Sequence, residues 1–175
     1  MTSTTHNTEA AVAFLDRMFG KDTAHHIIAI PPDGKPTAKS FIANERKALI
    51  DWIAAHQGTD NLYFSVNRLE DGFVDRKAKK ENVVAARCLH VDIDDADALV
   101  RIQSFQPRPT VVIFSGGGYQ AFWYLKEECL DLEAVENINA AIARKLGGDK
   151  CHNIDRIMRL PGTINMPNKK KLAMG

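Results

Sequence analysis

The chain has 175 residues, 45% of them apolar and 26% charged, which suits one folded domain with a real core and excludes a disordered chain. Its net charge of +1 excludes a global basic field, so any hold on nucleic acid must come from local patches. No apolar run approaches the roughly 20 residues that cross a bilayer, and three scattered cysteines without a CxxC pair or a preceding signal peptide point to packing residues in a reducing cytoplasm.

In chain order, "TEAAVAFLDRMFG" predicts a first helix, with Thr8 as its cap, Val12, Leu15 and Phe19 on its apolar face and Gly20 as its stop. "HHIIAI" predicts a strand closed by the turn "PPDG". A second helix is expected from Ser40 to His56, with Ala48, Leu49, Trp52 and Ile53 as its stripe. "NLYFSVNRL" alternates like a strand, and the polar run from Glu70 to Asn82 predicts a loop. From Val83 onward the pattern is strand, helix, strand, strand, helix, ending in a short strand at "RIMRL". The last helix, Asp131 to Leu146, carries Leu132, Val135, Ile138, Ile142 and Leu146 on one side and stops at Gly147. This order predicts an α+β fold with helices over one face of a mainly antiparallel sheet.

Three segments carry chemistry. In "HVDIDD" the strand period puts Asp92 and Asp94 on one face while Val91 and Ile93 enter the core. Two acids a pleat apart repel, and a divalent cation with a preference for oxygen ligands, Mg²⁺ or Mn²⁺, relieves that repulsion. Asp95 and Asp97 are expected to cap the next helix. In "SGGGYQAFWYL" three glycines sit where the chain reverses, either as a plain hairpin turn or as a place where backbone amides approach a ligand. Ser115 and Gln120 flank it, Gln120 being either a ligand contact or a solvated edge residue. No Gly-Lys-Ser/Thr follows, so this is not a Walker loop.

The third segment is "GGDKCHNIDRIMRLPGTIN". Arg156 and Arg159 offer guanidinium forks that match phosphate oxygens, and Asp149 or Asp155 could supply a third acid. Cys151 and His152 lack partners at ligand spacing, which argues against zinc. Two basic runs, Arg76, Lys77, Lys79 and Lys80 in "DRKAKKEN" and Lys169, Lys170 and Lys171 near the end, are either solvated faces or nucleic-acid contacts. Acids for metal and arginines for phosphate are together the ingredients of phosphoryl transfer.

Taken in order, the three segments resemble the archaeo-eukaryotic primase superfamily, in particular the primase-polymerases of plasmids, phages and prophages. "HVDID" is similar to that family's Asp-x-Asp strand, "SGGGYQ" to its Ser-x-His motif, and "GGDKCHNIDRIMRLPGTIN" to its acid and basic strand ending near Leu-Pro-Gly-Thr-x-Asn; the match runs from Val83 to Lys171. The resemblance implies a catalytic core of RNA-recognition-motif-like topology over 83–171, with an N-terminal αβ portion over 1–82. It implies Asp92, Asp94 and Asp149 as the ligands of two cations about 3.5 to 4 Å apart, with Asp155 as the competing third acid. It also implies Ser115, Gln120, Arg156 and Arg159 on an incoming NTP or dNTP, and Lys77, Lys79, Lys80 and Lys169 on a single-stranded DNA template.

One departure stands out, because the family's histidine is Gln120 here. An amide can donate to phosphate but cannot carry a proton or a positive charge. The resemblance therefore implies a DNA primase or primase-polymerase, with two alternatives: a replication-associated module that binds without polymerising, and a metal-dependent nuclease using the same acids. The basic end at Gly175 fits either a small protein or the N-terminal piece of a longer replication protein, with a helicase as a possible further module or partner.

Overall fold

The computed structural model describes residues 7–74 and 76–166, so Lys169, Lys170 and Lys171 lie outside it. The described residues divide into two compact units that do not follow a single cut in the chain. One takes residues 7–65, 73–74, 76–77 and 159–166; the other takes Val66–Gly72 and Ala78–Met158. No helix among the described residues is long and apolar enough to cross a membrane.

The first unit opens with helix α1, Thr8–Phe19, which buries Ala11, Val12, Leu15 and Met18. Its cap is Asn7, one residue before the expected Thr8: the Asn7 side-chain oxygen accepts the Ala10 amide at 3.1 Å. Strand β1, His25–Ile30, is central and almost wholly buried. It pairs antiparallel with β2, Thr37–Phe41, on one side and with β3, Asn61–Ser65, on the other. The expected helix from Ser40 therefore starts late. Ser40 and Phe41 pair with His26 and His25, and α2 runs only over Arg46–His56, burying Leu49 and Ile53 but leaving Ala48 exposed. Cross-strand hydrogen bonds with β1 outweigh a weak helix propensity at this point. The sheet order is β2-β1-β3-β8, where β8 is Ile157–Arg159.

The second unit holds its own sheet, antiparallel as expected. Its order is β4-β5-β7-β6, with β4 at Arg68–Leu69, β5 at Val83–Ile93, β6 at Val111–Phe114 and β7 at Tyr119–Cys129. Two helices join it: α3, Leu99–Ser104, and α4, Leu132–Leu146. Val91, Ile93, Ala121 and Trp123 pack with Ala98, Ile102, Ile142, Ala143 and Leu146 into one apolar cluster. Asp131 caps α4 by accepting the Ala134 amide at 3.0 Å, and Gly147, at φ 70°, ends it in the left-handed region that glycine tolerates.

Two details differ from expectation. Neither Asp95 nor Asp97 caps α3. Asp95 instead accepts the Asp97 amide at 2.9 Å and pairs with Arg101 at 2.7 Å, which closes the turn before the helix. On α4 the buried stripe runs Val135, Asn139, Ile142 and Leu146, whereas Ile138 is 46% exposed. The helical step of about 100° places position 139, not 138, in line with 135, 142 and 146.

Candidate functional site

The acids stand at the end of β5 in the second unit. Val91 and Ile93 are buried, Asp92 is half-buried and Asp94, one residue past the strand, is exposed, as alternation requires. Asp92 pairs directly across to Gln120 of β7, which in turn faces Ile113 of β6. Gln120 thus belongs to an interior strand and is 4% exposed, so it is not a solvated edge residue. Its Oε1 is buried without a hydrogen-bond partner among the described residues.

The glycine hairpin closes over the same strand end. Ser115, half-buried, donates its amide to the Gly118 carbonyl at 2.9 Å and so forms the mouth of the β6–β7 turn. A Cβ on Gly118 would lie 1.9 Å from the Ile93 carbonyl oxygen and 2.9 Å from the Asp94 Cα. Only glycine permits that approach, so this turn is shaped by the acidic strand beside it.

After α4 the chain returns along the free edge of β5. The Gly148 amide donates to Ala143 O and the Asp149 amide to Asp92 O, both at 2.8 Å. A side chain on Gly148 would stand 2.6 Å from Val91 Cγ2, so the close approach again needs glycine. Asp149 itself is exposed. Arg156 brings its Nη2 to 3.5 Å from Asp92 Oδ2, with side-chain exposures of 32% and 19%, and its buried Nε has no partner among the described residues.

The electrostatics follow from this crowding. Burial is the main force raising the Asp92 pKa above the usual carboxylate value; Arg156 opposes it, while Asp149 and Asp94 add repulsion. Burial also raises the Cys151 thiol, which feels Arg156 and the same three acids. Asp155 has a hydrogen-bond partner of its own. It accepts the Asn153 side-chain amide at 2.6 Å and acts on Lys80, which is paired at 2.7 Å with Glu136. The structure thus gathers Asp92, Asp94, Asp149, Gln120 and Arg156 and sets Asp155 among other partners.

Among the described residues, no three His, Cys, Asp or Glu side chains are already drawn in closely enough to surround an ion. The donor set nonetheless fits a hard divalent cation: Asp92 is pressed toward its neutral form by burial and two like charges, and all three groups are oxygen ligands.

Arg159 and the basic loop have partners of their own. Arg159, in the first unit, is 8% exposed and donates from Nη1 and Nη2 to Asn61 Oδ1 at 2.8 and 2.9 Å, and from Nη2 also to Asn165 Oδ1. Its guanidinium lies 5.2 Å from the centroid of the Tyr63 ring. In the loop, Arg76 stacks on Phe73 at 5.1 Å, Lys77 is exposed, and Lys79 lies 4.0 Å from Glu81.

The sequence reading missed two residues, His90 and Asn139, both fully buried. Asn139 Oδ1 accepts the His90 amide at 3.0 Å, and His90 Nε2 donates to the Cys151 carbonyl at 3.1 Å. Burial, reinforced by Arg156 and His152, lowers the His90 pKa to about 4, so the ring is neutral. A polar residue in an otherwise apolar helical stripe was the available signal.

A family model for the RepB DNA-primase N-terminal domain matches residues 20–175. The chain belongs to that family of DNA primases. Three solved structures share the fold of this RepB-type primase domain. The AEP domain of the cyanophage S-2L primase-polymerase matches with a TM-score of 0.66 and 17% identity, over 95% of this chain and 86% of that one. Primase RepB′ matches at 0.67 and 17%, over 91% and 51%, and the catalytic domain of primase RepB′ in complex with initiator DNA at 0.65 and 16%, over 89% and 77%. This chain thus spans about half the length of the primase RepB′ chain. No curated protein matches.

Proposed function

We propose that this domain is a primase-polymerase that joins nucleotides on a single-stranded DNA template, with Mg²⁺ or Mn²⁺ held by Asp92, Asp94 and Asp149. The observation that carries this reading is the junction at Asp92: Gln120 faces it across the sheet, the Asp149 amide donates to its carbonyl oxygen, and Arg156 lies 3.5 Å from its carboxylate. A bound cation pair would supply charge neutralisation for the attacking hydroxyl and the leaving pyrophosphate.

The protein's own groups orient the substrate. Arg156, with an unpartnered Nε and a partly exposed guanidinium, presents a fork for the triphosphate. Gln120 offers its amide from a fixed strand position beside Asp92, and Ser115 lines the turn that closes on the strand end. We assign Arg159 to the scaffold, because Asn61 and Asn165 already occupy its donors. Asp149 is preferred to Asp155 as third acid because its amide donates to the Asp92 carbonyl and its charge adds to the repulsion on Asp92, whereas the Asp155 carboxylate is engaged by Asn153. Lys77 and Lys79 remain candidate template contacts; Lys80 is held by Glu136, and Lys169 falls outside the described residues. A helicase as further module or partner stays part of the proposal.

The rival reading, a binding module without polymerisation, draws on Gln120, whose amide carries no proton. The test incubates the chain with single-stranded DNA, Mn²⁺ and either NTPs or dNTPs. Strands should lengthen, and replacing Asp92 and Asp94 together by Ala should reduce incorporation at least about 100-fold, equivalent to about 2.7 kcal/mol of barrier. Undiminished synthesis would overturn the roles given to the acids. Strands of unchanged length despite triphosphate binding would favour the binding module, and shortened strands a nuclease.

A further inference from the structure

Strand β5 meets an unusual edge where it carries the acids. Its partner β4 covers it only as far as Ala85, so among the described residues no strand pairs the other edge of His90 and Asp92. Open edges expose unpaired amides and carbonyls that must be satisfied. Here a side chain and a loop take the place of a strand: Asn139 Oδ1 accepts the His90 amide, and the Asp149 amide donates to Asp92 O.

The same two buried residues hold the loop. His90 Nε2 donates to Cys151 O at 3.1 Å, which leaves Nδ1 as an acceptor facing Asn139 Nδ2 at 3.4 Å. Asn139 Nδ2 also reaches His152 O at 3.4 Å, and the Cys151 amide donates to Asp149 O at 2.7 Å. Asn139 and His90 are both 0% exposed, so neither can touch substrate. An ordinary strand would cover this edge equally well. It would not set an exposed acidic residue next to Asp92, as a two-glycine loop pinned at 149, 151 and 152 does.

We propose that Asn139 and His90 are positioning residues, a buried amide–imidazole clamp that fixes the 147–152 loop on β5 and thereby sets Asp149 beside Asp92. The value of that placement for metal binding rests on the function proposed above; the clamp itself does not. Residues that orient a metal's ligands through hydrogen bonds commonly change metal affinity 10- to 100-fold when replaced, without touching the ion.

The test compares Asn139→Leu, which removes both hydrogen-bonding arms, with Asn139→Asp, which keeps the acceptor for the His90 amide and loses the donor to His152 O. Asn82→Ala serves as control, since Asn82 is buried in the same unit but bonds Lys79 N and Glu70 away from the loop. Hydrogen exchange at the Asp149 and Cys151 amides, normalised to core amides of β7, is read alongside Mn²⁺ affinity by electron paramagnetic resonance. In Asn139→Leu those two amides should exchange at least about tenfold faster and Mn²⁺ affinity should fall about tenfold, with kcat reduced more than KM for the triphosphate is raised; Asn139→Asp should be intermediate. Asn82→Ala should lower the melting temperature with neither effect. Wild-type protection of the Asp149 amide in both Asn139 variants would overturn the clamp. Faster exchange in a protein whose wild type binds no Mn²⁺ would support the clamp and refute the metal reading.

Discussion

Arg159 and Arg156 lie three residues apart, yet the first is sealed and the second is not. In the first unit Arg159 is buried, both of its terminal nitrogens donate, and the loop that follows is fastened through Asn61 to Met166 and through Gln57 to Gly162 and Ile164. In the second unit Arg156 stays one-third exposed with an idle Nε, beside an acid whose ionisation is resisted by burial. Both loops contain a glycine that a side chain would displace, Gly162 and Gly148, and both are tied down by a buried asparagine. What separates them is saturation. Where every polar group finds a partner the loop is scaffold; where buried polar atoms are left idle, a ligand is the natural source of compensation.

The contrast can be broken most forcefully by exchanging each arginine for alanine. Arg159→Ala should lower unfolding free energy by about 3 to 5 kcal/mol, because hydrogen bonds from a charged donor contribute about 1.5 to 3 kcal/mol each and those to Asn61 and Asn165 are lost together. Arg156→Ala should stay within about 1 kcal/mol of wild type, as half-exposed ion pairs do, while weakening triphosphate binding. Urea denaturation with a nucleotide-binding assay reads both. Equal destabilisation would erase the distinction.

A smaller effect comes from pH. His90 holds a pKa of about 4 in the fold against an ordinary 6.5, so between these values the unfolded chain binds the extra proton. Stability from this group is complete above pH 6.5, falls as pH drops toward 4, and changes no further below it; the loss is about 3 kcal/mol at most. Denaturation midpoints at stepped pH should show the slope in wild type and its flattening in His90→Gln. An unchanged slope in the variant would place the titration elsewhere.

The sequence carried the parts governed by period and by turn chemistry. Alternation set Asp92 half-buried and Asp94 exposed between buried Val91 and Ile93, Asp131 and Gly147 bounded α4, and the α+β class and the primase family are what the fold and the family model show. Failures arose where tertiary pairing decides. β2 took Ser40 and Phe41 from the expected helix, and the strand read through "NLYFSVNRL" breaks after Ser65, so that β3 and β4 serve different sheets. Nothing local distinguishes Arg156 from Arg159, since which guanidinium is enclosed depends on Asn61 and Asn165. Asn139 was hidden because an apolar Ile138 stood next to it, and only the packed helix shows which of the two faces inward.

The account depends most on Asp149, and not Asp155, standing with Asp92 as the third acid. Mn²⁺ binding, followed by electron paramagnetic resonance in wild type, Asp149→Asn and Asp155→Asn, tests this directly. We expect affinity to fall at least about tenfold in Asp149→Asn and to remain at the wild-type level in Asp155→Asn. Retained binding in Asp149→Asn together with loss in Asp155→Asn would contradict the site described here.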